Sequence, residues 1–107
     1  MKNLGKMMKQ AQEMQSKMAL MQEELKKSEH MGTSGGGLVS VKLNGKFEMR
    51  ALNIDPSIFS ADDAEMVEDL IVAAFNDAKR KVDEFNKNEM AKLTGGIDLP
   101  EGLNLPF

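Results

Sequence analysis

The chain has 107 residues, a formal net charge of −3 and 41% hydrophobic residues, which fits one small domain. With no cysteine it cannot hold a disulfide framework, a thiolate metal site or a cysteine nucleophile, and it suits a reducing compartment, so a cytoplasmic location is expected. No apolar run approaches the roughly 20 residues that span a bilayer, and the N-terminus lacks the apolar core of a secretory signal, so no membrane partner is expected.

The first element is a helical arm expected over residues 1–30. Leu4, Ala11, Met18 and Leu25 recur at heptad intervals, and Met7, Met14 and Met21 fall between them, the a/d pattern of a pairing seam. Such a stripe requires a facing helix, because water would otherwise cover it. Methionine makes that contact pliable, and these positions are read as an interface rather than a cofactor or metal site. Lys2, Lys6 and Lys9 share a sector on the side away from the seam. Cations near a helix N-terminus oppose its macrodipole by roughly 0.3–1 kcal/mol each, so helix stability does not explain them, whereas an anionic ligand would. The competing explanation is that lysine forms helices well and keeps surfaces soluble. Lysines outnumber glutamates in residues 1–30 and acids prevail in the rest, so an acidic body carries a basic end.

The glycine-rich run after His30, "MGTSGGGLVS", is expected to be a connector. It lacks the Gly-Lys-Ser/Thr ending of a phosphate-binding loop and leads into β-branched residues instead of a helix. His30 has no triad partners and is read as a helix-end residue. A three-stranded antiparallel β-meander is expected over residues 38–54: Val39, Val41 and Leu43 alternate with polar residues, and Asn44-Gly45 suggests a type I′ turn. Phe47 and Met49 resume the strand pattern. The apolar phase then shifts to Leu52 and Ile54, which fits a bulge or a bend into a third short strand.

Asp55-Pro56 ends the sheet, and Ser60 is the expected N-cap of a second long helix over residues 61–92. Val67, Leu70, Ile71, Ala74, Phe75, Ala78, Val82 and Phe85 share its apolar face. Acids fill its first half and bases its second, as the macrodipole favours. The tail, residues 93–107, is expected to be irregular, given Pro100, Pro106 and its glycines.

A helix from Lys2 to His30 would be about 43 Å long at 1.5 Å per residue, against a radius of gyration of about 13 Å for a compact chain of this length. One copy cannot cover two such helices. The fold class expected is therefore α+β, a long N-terminal helix, the meander and a long C-terminal helix, assembled as a symmetric homodimer with projecting arms.

The strings "MMKQAQEMQSKM", "GLVSVKLNG", "NIDPS", "EMVEDLIVAAFNDAKRK" and "LPEGLNLPF" span nearly the whole chain and resemble the YbaB/EbfC family of bacterial nucleoid-associated proteins. That resemblance implies a tweezer-like homodimer whose arms bind double-stranded DNA, a cytoplasmic nucleoid location, a part in nucleoid organisation and gene regulation, and no enzymatic activity. On the matching helices it nominates Lys2, Lys6, Lys9, Lys17, Arg80 and Lys87 as DNA contacts, ahead of Lys79, Lys81 and Lys92. The dimer seam is Leu4, Met7, Ala11, Met14, Met18, Met21 and Leu25. No cofactor, metal, small-molecule substrate or catalytic residue is expected, because no nucleophile, metal cluster or paired carboxylates can be assembled from these positions. A second reading is a protein-interaction module that uses the methionine-rich helix and the acidic surface.

Overall fold

The computed structural model describes residues 3–59 and 61–93; Lys2, the expected Ser60 cap and all but the first residue of the expected tail lie outside them. Helix α1 spans Leu4–Lys27, strands β1, β2 and β3 span His30–Ser34, Val39–Leu43 and Met49–Ile54, and helix α2 spans Ala64–Leu93. The three strands form one antiparallel sheet in the order β1-β2-β3. The α+β architecture expected from the periodicities is present.

The core lies between one face of the sheet and α2. Val39, Val41 and Leu43 of β2 point into it and are fully buried, as are Ala74, Ala78 and Val82 on the facing side of the helix. Alternation along β2 and the 3.6-residue repeat along α2 place these residues opposite one another. A second cluster joins the two helices, where Met21 and Leu25 of α1 are buried with Met90 of α2, flanked by Met18, Phe85 and Leu93.

Three local expectations are corrected. The connector after His30 begins later, because His30–Ser34 pairs with β2 residue for residue, from His30 opposite Leu43 to Ser34 opposite Val39. Gly32 concealed this strand: it carries no apolar side chain, yet it is buried where β1 touches α2, and a Cβ there would lie 2.2 Å from both Ala74 O and Ala78 N. The chain turns instead at Gly35, Gly36 and Gly37, whose φ angles of 61°, 70° and 96° suit glycine. His30 is correspondingly a strand residue. Its ring packs on Phe85, with centroids 4.6 Å apart, and burial lowers its pKa.

The turn at Asn44-Gly45 is not the two-residue type I′ form, since Gly45 is absent from the residues of positive φ and Phe47, at 63°, is present. Phe47 N–H donates to Asn44 O at 3.0 Å and Asn44 N–H to Glu48 O at 3.0 Å, closing a three-residue loop that ends in a left-handed residue. Phe47 packs on the core, which offsets its unfavourable backbone. The phase shift beyond Met49 is a bulge within one strand: Leu43 faces Met49 but Lys42 faces Ala51, which leaves Arg50 as the extra residue.

Asp77 ties β1 to α2. Its Oδ2 accepts the Thr33 N–H at 3.0 Å, and Arg80 and Lys81 approach at 2.8 and 3.5 Å. The Thr33 hydrogen bond, aided by the two cations, holds the carboxyl below the usual aspartate range. Ser34 Oγ also donates to Leu70 O, and Lys81 Nζ to Met31 O.

Two outcomes follow from this packing. Gly32→Ala drives a methyl into helix backbone that cannot yield as a side chain would, so it should cost about 3 kcal/mol, the upper part of the overpacking range, and lower the urea midpoint at fixed protein concentration by on the order of 1 M. A depressed aspartate stabilises the fold above its unfolded pKa of about 3.9 and loses that contribution as pH falls through the lower folded value. Wild-type stability, measured by urea titration across the acid range, should therefore drop more steeply than that of Asp77→Asn, which starts lower at neutral pH.

Candidate nucleic-acid interface

The arm is positioned by the β2–β3 loop. Gly45 lies beneath the last turn of α1, where its N–H donates to Leu25 O at 2.7 Å and to Ser28 Oγ at 3.1 Å. A Cβ on Gly45 would stand 2.7 Å from Leu25 O, so this approach requires glycine. Asn44, 1% exposed, donates from Nδ2 to Lys26 O at 3.1 Å and to Glu48 Oε1 at 2.7 Å, while its Oδ1 accepts from the N–H groups of Lys46 and Glu48. Asn86 of α2 donates to Gly45 O at 3.1 Å. Ser28 Oγ donates to Leu25 O, so it accepts from the His30 ring, which fixes the proton on Nε2. These bonds satisfy carbonyls that a helix end would otherwise leave free. Hydrophobic periodicity carries no trace of this socket. The signal available in the sequence was Asn44-Gly45 itself, which reads as a strand turn.

Beyond the socket, α1 leaves the body. Leu4, Met7 and Met14 of the expected seam are 55%, 60% and 45% exposed, and Ala11 is exposed too. Met18 is half-buried, and only Met21 and Leu25 are covered, by α2 of the same chain. The radius of gyration, 19.3 Å, exceeds the roughly 13 Å of a compact chain, as two long helices on a small sheet require.

The structure sorts the basic residues into two groups. On α2, Arg80 and Lys81 pair with Asp77, Lys79 with Asp83 at 3.6 Å and Lys92 with Glu89 at 3.2 Å. On α1, Lys6, Lys9, Lys17, Lys26 and Lys27 form no ion pair among the described residues, and neither does Lys87 of α2. Exposed pairs contribute at most about 1 kcal/mol, but they cancel local charge; α1 carries five lysines against Glu13, Glu23 and Glu24, a local excess of base. Lys6 and Lys9 stand on the free part of the arm. Lys17 sits where the helices meet, in a cleft of about 260 Å³ with Met21, Glu89, Lys92 and Leu93. Arg80 is held beside β1, apart from these lysines. Among the described residues there is no cluster of His, Asp or Glu able to hold a metal ion, and no helix is long and apolar enough to cross a membrane.

A family profile described as the YbaB/EbfC DNA-binding family matches residues 1–97. A nucleoid-associated protein of Rhodospirillum rubrum is 54% identical over 107 residues, and one of Paramagnetospirillum magneticum is 56% identical, each match covering 100% of both chains. The crystal structure of an uncharacterized protein from Helicobacter pylori is similar with a TM-score of 0.77 and 30% identity, over 86% of this chain and 97% of that one.

Asn44→Ala tests the socket. Removing the side chain leaves Lys26 O and two loop N–H groups without their partner, at a cost of roughly 1–3 kcal/mol. Hydrogen exchange should accelerate in the last turn of α1 and in the 44–48 loop before it does in β2.

Proposed function

This chain belongs to the YbaB/EbfC DNA-binding family, and from that premise we propose that it is a nucleoid-associated protein that binds double-stranded DNA as a homodimer, chiefly through the phosphate backbone. The observation that carries the reading is the unpaired lysine set of α1, on an arm that stands clear of its own body. Lysines at the surface of a projecting helix are suited to neutralising phosphates, whereas base edges are read by side chains that enter a groove with directed donors and acceptors. Low sequence selectivity follows. Relatives named as nucleoid-associated proteins support a nucleoid location, and a part in nucleoid organisation and gene regulation belongs to the same proposal.

The homodimer is supported by the exposed seam. Leu4, Met7, Ala11 and Met14 keep the heptad spacing, and no described residue of α2 covers them. Fully burying one such side chain of leucine or methionine size stabilises by about 1.5–3 kcal/mol. A second copy presents the same stripe, and twofold pairing closes a self-complementary surface.

Titration with random duplex DNA tests the reading. If six lysines of the dimer meet phosphates, log affinity falls against log salt with a slope of roughly −5; a flat response sinks it. Changing Lys2, Lys6 and Lys9 together to glutamate should abolish duplex binding while the sedimentation behaviour of the free protein stays that of wild type.

A further inference from the structure

We propose that the cleft at the root of the arm, between the last turn of α1 and the bulge of β3, is a second anchor for a backbone phosphate of the bound duplex, with Arg50 as its principal ligand. The proposal rests on the DNA-binding reading above and extends it to residues at the opposite end of α1. The cleft holds about 420 Å³ and is lined by Glu23, Lys26, Lys27, Ser28, Glu29 and Arg50. Of its two acids, Glu29 is engaged by Lys42 at 3.4 Å. Glu23 alone therefore faces three cations, none of which has an ion-pair partner among the described residues.

Helix stability accounts for part of this arrangement, since Lys26 and Lys27 in the last turn of α1 complement its dipole. It does not account for Arg50. Continued alternation from Ile54 and Leu52 would place Arg50 on the sheet face shared with Val41 and Leu43. The bulge gives that place to Met49, opposite Leu43, and releases Arg50 to the cleft. A bulge re-aims a side chain at the expense of ladder pairing, and here the re-aimed residue joins two unpaired lysines. A guanidinium offers parallel N–H donors that match phosphate oxygens, which an ammonium does not.

Spacing brings this cleft into line with the arm. Lys9 and Lys27 are 18 residues apart, about five helical turns, so they project from the same side of α1 some 27 Å apart. That distance is about eight base pairs of duplex and less than one turn of it. Phosphates on one face of a single duplex can therefore meet the arm at Lys6 and Lys9 and the root at Lys27 and Arg50 together.

The test compares salt dependence for random duplex DNA among wild type, Arg50→Gln, Arg50→Lys and Lys6→Gln/Lys9→Gln, with urea midpoints confirming the fold. Arg50 is exposed and has no ion pair among the described residues, so its replacement should leave stability unchanged. Arg50→Gln is expected to bind several-fold more weakly, with a slope shallower by about 0.9 for each phosphate that is no longer neutralised; Arg50→Lys should keep most of the slope. If wild type binds with a steep slope that Lys6→Gln/Lys9→Gln reduces and Arg50→Gln does not, the root anchor is wrong and the DNA reading stands. Weaker binding by Arg50→Gln at an unchanged slope likewise overturns the anchor. A wild type without salt-dependent binding overturns the DNA reading itself.

Discussion

The contact of β1 with α2 at Gly32 is the constraint from which the rest of the molecule is laid out. Two backbones meet there with no side chain between them, and Ala74 and Ala78 are the residues of α2 that permit it. A β1 seated this closely brings Thr33 within reach of Asp77 and Ser34 within reach of Leu70. It also sets the sheet at the distance from which Val39, Val41 and Leu43 fill the space against Ala74, Ala78 and Val82. Ala74 and Ala78 let the helix approach the valines and leucine of the middle strand closely, and Val82, Val67, Leu70, Ile71 and Phe75 of the same helix pack in the same cluster.

The same sheet carries the socket at its far end. Once α2 fixes the β2–β3 loop through Asn86, the loop fixes the last turn of α1 through Gly45 and Asn44. The arm is thus oriented by hydrogen bonds at its root and by the small cluster of Met21, Leu25 and Met90, while the rest of its apolar stripe is uncovered in one copy. A methionine-rich stripe on a helix that, among the described residues, is held at its C-terminal end is pliable.

Charge is divided along the same line. The acids of α2 absorb most of that helix's own bases at helical spacings of three or four residues, which local sequence favours. No corresponding ion pair forms on α1 among the described residues, so a chain of net negative charge still presents a basic arm. Overall charge is a poor guide to the field that a polyanion meets when the two signs are sorted onto different elements.

Element type and order were legible in the sequence because they depend on periods that persist over many residues: the heptad stripe of α1, the alternation of β2 and the apolar face of α2. The overhang of α1 followed from its length, whereas the phase shift between Met49 and Leu52 left open a bulge or a bend into a further strand, and pairing with β2 made it a bulge inside one strand. Strand β1 was not legible, since its one buried position is a glycine whose value lies in the absence of a side chain. The role of Asn44-Gly45 as a helix socket and the meeting of Arg50 with Lys26 and Lys27 were also decided only in three dimensions. So was the division of the bases into paired and unpaired. Periodicity records which face of an element is dry, because burial acts on every repeat; a close approach, a hydrogen bond or an ion pair involves single atoms from distant segments, and only the packed chain brings those together.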